Sequence, residues 1–199
     1  MSSPAAVHDV ASFWQWFSAN ESDLFAFEQD QDRVFARLTA EMNAVHQDLT
    51  FEFGPVIDGR REFVISADGL KSAFPTVGAL ADAAPPLPRW TIVRFRPRRE
   101  PGDFQIGNTI VRGADVSVVP ETVDGKIGVR VLIAGYRPTP HSVFEQIGFL
   151  LLDETLGEFD VERKIGYVEV GPRPTRLPAH AIPLEQLAAL VDRPPRLPR

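Results

Sequence analysis

Six residues combine a reactive type with a suggestive spacing. Arg94, Arg96, Arg98 and Arg99 end the stretch Arg89-Trp90-Thr91-Ile92-Val93-Arg94-Phe95-Arg96-Pro97-Arg98-Arg99, and Glu52 and Glu62 lie in an earlier alternating run. A guanidinium grips carboxylate or phosphate through a planar fork, so arginines this dense suit an anion site. Strand parity decides where they point. If Val93 and Phe95 face a core, Arg94 and Arg96 leave the opposite face about 6.6 Å apart. The same parity places Glu52, Glu62 and Ser66 off the core. Were the strands neighbours, two arginines would meet two glutamates. As an enzyme site, Arg94 and Arg96 would hold an anionic substrate, with Glu52 or Glu62 as base. As structure, the four make a cross-strand salt ladder, worth about 0.2–1 kcal/mol per pair. The ladder is the plainer reading and the preferred one. Arg98 and Arg99 lie past the strand end, in solvent, and are the better candidates for touching a partner.

No other constellation carries chemistry. Cysteine is absent, which excludes disulfides and thiolate chemistry. His8, His46, His141 and His180 stand apart, without metal-ligand spacing, so no metal or cofactor is expected. Gly102, Gly107 and Gly113 are too far apart for a phosphate-binding loop, and no serine sits in a Gly-x-Ser-x-Gly elbow. Ser66-Ala67-Asp68-Gly69 reads as a strand end entering a turn. Asp153 with Glu154, and Glu158, Asp160 and Glu162, read as a solvated acidic face rather than an acid/base pair in a cleft.

Charge bounds the partners. The net charge is −6. Residues 1 to 58 hold ten acids and two bases, whereas residues 89 to 112 hold six arginines and two acids. An acidic whole argues against non-specific nucleic-acid binding, and the local basic cluster keeps a specific anionic partner in view. The first residues lack a signal-peptide pattern, and no apolar run approaches the roughly 20 residues a membrane helix needs. A cytoplasmic protein without membrane contact is expected. At 199 residues, 44% of them hydrophobic, the chain has enough apolar material for a core of its own.

The elements that position these residues can be read in order. Residues 12 to 19 make a short helix with Phe13, Trp14 and Phe17 on its aromatic face, suited to packing rather than to a ligand box. A second helix runs from about residue 20 to His46, capped by Ser18 with Glu21 or by Asn20. Its stripe is Leu24, Phe27, Val34, Phe35, Leu38, Met42 and Val45. Then the period becomes two: Leu49, Phe51 and Phe53, the turn Asp58-Gly59, and Phe63, Ile65 and Ala67. A three-residue loop with a bulge would bring Phe53 onto the face of Ile65. A helix at 72 to 83 ends at prolines before the strand at 90 to 96.

The second half repeats the order. An extra strand near Ile110 precedes a strand at 114 to 120, the turn Asp124-Gly125, and a strand with Val129, Val131 and Ile133. A helix at 141 to 154 begins at Pro140, with Ser142 and Glu145 as a capping box, and closes at Gly157. A strand follows at 159 to 170. The two Asp-Gly turns are 66 residues apart. The fold expected is α+β: two ββαβ-type units (49–97 and 114–170) forming one largely antiparallel sheet with helices on one face, after two N-terminal helices, all in a single domain over 1–170. Residues 171 to 199 hold seven of the 18 prolines and one short helix at 184 to 191, and read as a loosely attached basic tail containing Arg173, Arg176, Arg193, Arg196 and Arg199.

Over residues 12 to 170 the sequence resembles a family of uncharacterised bacterial proteins. The resemblance rests on Phe13-Trp14-Gln15-Trp16-Phe17, Phe51-Glu52-Phe53, Val64-Ile65-Ser66-Ala67-Asp68-Gly69, Arg94-Phe95-Arg96-Pro97-Arg98 and Leu156-Gly157-Glu158. It implies a bacterial cytosolic protein and transfers no catalytic residue. Two functional classes follow from the chain: a non-enzymatic protein-binding or regulatory (immunity-type) domain, and, as the alternative, an enzyme acting on an anionic small molecule.

Overall fold

The computed structural model describes residues 9–123, 126–139 and 141–192. The chain divides into two compact units, with the boundary between Arg96 and Pro97.

In the first unit, α1 (Val10–Ala19) starts at Asp9, whose carboxylate accepts the Ser12 amide at 2.7 Å, and buries Phe13, Trp14 and Phe17. The long helix expected next is broken into α2 (Glu21–Phe25), a 3-10 turn (Phe27–Gln29) and α3 (Gln31–Val45), with Asp30 at φ −157 before the last piece. Ser18 lies inside α1 and caps nothing. Asn20 sits at the junction, donating to the Trp16 carbonyl at 2.8 Å and accepting from Arg37 at 2.6 Å. The apolar periodicity survives the break because all three pieces pack on one core: it reports burial, not continuity of the helical hydrogen bonds.

Strands β1 (Thr50–Ile57) and β2 (Arg60–Ser66) pair antiparallel around Asp58 (φ 50) and Gly59 (φ 76). Two positive φ values define a two-residue hairpin turn, not the three-residue loop expected. The bulge lies instead in β1, where the register shifts between Phe53 and Val56, and it sets Phe53 opposite Phe63 and Phe51 opposite Ile65. After a 3-10 turn (Lys71–Ala73), α4 (Phe74–Asp82) carries the chain to β3 (Trp90–Arg94), which pairs parallel to β2 and completes the order β1-β2-β3. The Trp14 indole ties α1 to α4 by donating to the Leu80 carbonyl at 2.8 Å.

In the second unit, the hairpin β4 (Asp103–Ile106) and β5 (Thr109–Arg112) occupies the stretch where one strand was expected. β6 (Val116–Val123) and β7 (Lys126–Ile133) pair antiparallel. Their expected turn Asp124-Gly125, like the expected helix start Pro140, lies outside the described residues. α5 (His141–Leu156) ends at Gly157, which has φ 78 and donates to the Asp153 carbonyl at 2.8 Å. It crosses closely over the sheet at Gly148, where an added Cβ would stand 2.7 Å from a Val170 methyl.

The strand expected from residue 159 begins later. Residues 158 to 164 form α6 (Glu158–Lys164), with acids in its first turn and Arg163 and Lys164 in its last, the arrangement a helix dipole favours. The alternation of charged and apolar residues in this stretch mimics period two. β8 (Ile165–Pro172) then pairs parallel to β7, and β9 (Ile182–Pro183) pairs with β6, giving the order β8-β7-β6-β9. A 3-10 turn (Leu184–Gln186) leads into α7 (Leu187–Val191). Leu184, Leu187 and Val191 are buried in the same core as Val118, Val131 and Ile147, so the segment is docked rather than loosely attached. Arg193, Arg196 and Arg199 lie outside the described residues.

The described residues form seven α-helices and nine strands, so the α+β class holds. The single, largely antiparallel sheet does not: the described residues form three sheets, and the three- and four-stranded ones each contain a parallel pair. Each unit has its own hydrophobic cluster. Among the described residues no helix is long and apolar enough to cross a membrane.

Candidate functional site

The unit boundary falls inside the arginine stretch. Arg94 and Arg96 belong to the first unit, Arg98 and Arg99 to the second.

In the first unit the expected parity is reversed. β3 registers Trp90 with Arg61, Ile92 with Phe63 and Arg94 with Ile65, so Trp90 and Ile92 share the core face while Thr91 and Val93 take the other. Phe95 is buried as expected, but by a different route: its φ of 58 breaks the alternation just past the strand, and its ring packs on Phe74 at 4.5 Å. Arg94 and Arg96 therefore do not form a common strip. Arg94 pairs with Asp82 at the end of α4. Arg96 bridges Glu52 and Asp68, with the Asp68 contact at 2.5 Å. Burial opposes the charge on Arg96, and Asp68 and Glu52 more than restore it, so its pKa is raised. Glu62 lies opposite Thr91, two residues before Val64, the register partner of Glu52.

In the second unit, Arg98 is not in solvent alone. It donates to the Leu156 carbonyl at the end of α5 (2.7 Å), to both carboxylate oxygens of Asp192 (2.6 and 2.8 Å) and to Asp160 on α6. Lys164 joins from 3.0 Å to Asp160 and 3.6 Å to Asp192. The Asp192 hydrogen bonds are the main cause of a strongly raised Arg98 pKa, and they hold the Asp192 carboxyl below its ordinary range. Arg99 is exposed. Its backbone N–H donates to the Glu154 carbonyl at 2.6 Å, and the Gly102 N–H donates to the Glu154 carboxylate at 2.9 Å, which straps residues 99 to 102 onto α5. Arg98 and Arg99 line a cleft of about 470 Å³ with Glu100, Thr155, Glu185 and Ala188.

Sequence reasoning missed a second arginine cluster. Arg61 is only 3% exposed, donates to Glu28 at 2.5 Å and to the Gly54 carbonyl at 3.2 Å, and stacks over Phe27 at 4.5 Å. Arg89 lies over Phe25 at 4.3 Å and shares Glu21 with the Trp90 indole. The signal for Arg61 was present: strand alternation puts it on the face of Phe63 and Ile65, where a charge needs partners. The acids read as a solvated face also differ. Glu158 is fully buried at the first residue of α6, where free backbone N–H groups favour a carboxylate. The aromatic face of α1 packs as expected, with Phe17 stacked on Phe63 at 5.0 Å.

Among the described residues, no three histidine, aspartate or glutamate side chains converge as metal ligands. Comparison with family models, curated proteins and solved structures returns no match.

Proposed function

We propose that this chain is a non-enzymatic binding protein, a regulatory or immunity-type partner of another protein in a bacterial cytoplasm. One observation carries this reading. Arg94, Arg96 and Arg98 are neutralised by carboxylates of the chain itself, namely Asp82, Glu52 with Asp68, and Asp160 with Asp192. A substrate anion would have to displace those partners, whereas a binding surface needs them only as scaffolding. The alternative, an enzyme holding an anionic small molecule between Arg94 and Arg96 with Glu52 or Glu62 as base, requires the two guanidinium groups to converge. They instead serve different acids.

The partner-facing residue in this reading is Arg99, exposed at the rim of the 470 Å³ cleft with its backbone fixed to α5. The Arg99 backbone is already ordered, so binding need not fix that segment, and arginine is among the residue types enriched at interface hot spots. The resemblance to a bacterial family and the kinship of the two strand-strand-helix-strand runs as ββαβ units belong to the same proposal. Affinity capture from a bacterial lysate with the whole chain tests it. A stoichiometric partner whose recovery falls with Arg99→Glu supports the reading; recovery of chaperones alone counts against it.

A further inference from the structure

The second unit contains a larger cleft, of about 750 Å³, away from the arginine stretch in sequence. Three elements line it, and it is open to solvent on one side. The turn of the β4–β5 hairpin supplies residues 106–110, the β7–α5 connection supplies Gly135, Arg137 and Thr139, and the first turn of α5 supplies Val143 and Phe144. Its volume lies within the range of about 300–1,000 Å³ typical of small-molecule sites.

The lining is divided by chemistry. Ile106, Val143 and Phe144 belong to or pack against the hydrophobic core and make an apolar floor. Asn108, Thr109, Thr139 and Arg137 bring polar groups to the rim. Arg61, Arg89, Arg94, Arg96, Arg98 and Arg130 all have carboxylate partners, whereas Arg137, like Arg112 and Arg176, has neither an ion pair nor a side-chain hydrogen bond among the described residues, and of these three Arg137 lines the cleft. A cation left unpaired over an apolar floor is the complement of an amphipathic anion.

The loop carrying Arg137 is held in place by its neighbour. The Tyr136 ring packs on Phe144 at 4.9 Å, and its hydroxyl bonds to His141 Nδ1. His141 Nε2 in turn lies 3.1 Å from the Glu145 carboxylate. With neutral histidine, Glu145 accepts the Nε2 proton, which leaves Nδ1 to accept from the phenol. The chain from Glu145 through His141 to Tyr136 anchors the residue before Arg137 to α5, so binding need not order that backbone.

We infer that this cleft is a binding site for a small amphipathic anion, with an aromatic or branched apolar body on Val143 and Phe144 and a phosphate or carboxylate on Arg137. The site is independent of the protein-partner reading above.

The test is a heteronuclear NMR titration of the whole chain with phenyl phosphate, alongside inorganic phosphate and benzyl alcohol. Phenyl phosphate is expected to saturate, with shifts confined to residues 106–110, Gly135, Arg137, Thr139, Val143 and Phe144. Each half-probe should bind at least about tenfold more weakly, because each satisfies only the cation or only the floor. Arg137→Gln, at an exposed position, should weaken phenyl phosphate about tenfold, and Val143→Trp should fill the cleft and abolish binding. Shifts that map elsewhere, equal affinity in Arg137→Gln, equal binding of either half-probe, or no saturation with phenyl phosphate raised to about 10 mM would each overturn the assignment.

Discussion

Arg98 and Asp192 are 94 residues apart in sequence and joined by two hydrogen bonds, of 2.6 and 2.8 Å. The first arginine of the second unit thus holds the last described residue of the chain. Through Asp160 and the Leu156 carbonyl, the same side chain gathers the ends of α5, α6 and α7. A residue that looked like a free cation in the sequence is a clamp.

Removing the clamp should be felt as stability. Arg98→Ala is expected to cost about 1–2 kcal/mol, after allowing for the screening of partly exposed partners. Arg98→Lys should recover only part of it, because an ammonium cannot span Asp192, Asp160 and a carbonyl in one plane. Urea unfolding of the two variants measures this. Wild-type stability in Arg98→Ala would contradict the clamp.

Leu187 is fully buried among residues of the second core. Leu187→Ala should therefore destabilise the second unit by about 2–5 kcal/mol, the cost of a cavity in a packed interior. A loosely attached segment would show almost no change. Thermal denaturation followed by near-ultraviolet circular dichroism separates the two outcomes.

Gly148 lets α5 approach β8 more closely than a side chain would allow. Gly148→Ala places a Cβ about 2.7 Å from a Val170 methyl and should cost about 1–3 kcal/mol through overpacking. Val170→Ala in the same chain should recover part of that loss. A double-mutant cycle in urea reports the coupling, and additive effects would show that the contact does not limit the packing.

The Glu21 carboxyl is held below its ordinary value of 4.5, chiefly by its hydrogen bond from Arg89 and further by that from Trp90. As pH falls below 4.5 the unfolded chain takes up this proton before the folded chain does. The stabilisation is therefore complete above that value and is lost as pH drops through the depressed folded value. Glu21→Gln should be less stable than wild type at neutral pH and should lose less on acidification to about pH 3. Parallel unfolding curves at both pH values check the sign; an unchanged pH dependence would refute the assignment.

What could be read from the sequence divides along physical lines. Local turn chemistry was legible: Asp58-Gly59 takes the two positive φ values its residue types favour, and Gly157 ends α5. Apolar periodicity located the core faces of α1, α3 and α5, because burial leaves its period in the sequence. Continuity was not legible, and α2, the 3-10 turn and α3 share one stripe without sharing one axis of hydrogen bonds. Parity failed at Phe95, where one positive φ outside glycine undoes the alternation that was extrapolated through it. Partner choice was also hidden. Arg98 finds Asp160 and Asp192 through tertiary packing over more than sixty residues. Nothing local to residues 94 to 99 announces those acids.

The proposed interface role of Arg99, with Arg94, Arg96 and Arg98 as structural ion pairs, separates these arginines by their effect on binding. Its most direct test is calorimetric titration of a captured and purified partner against wild type, Arg99→Glu and Arg94→Gln. One-to-one binding is expected, weakened at least about tenfold by Arg99→Glu and unchanged by Arg94→Gln. Wild-type affinity in Arg99→Glu, or loss of binding in Arg94→Gln while the fold is intact, would contradict it.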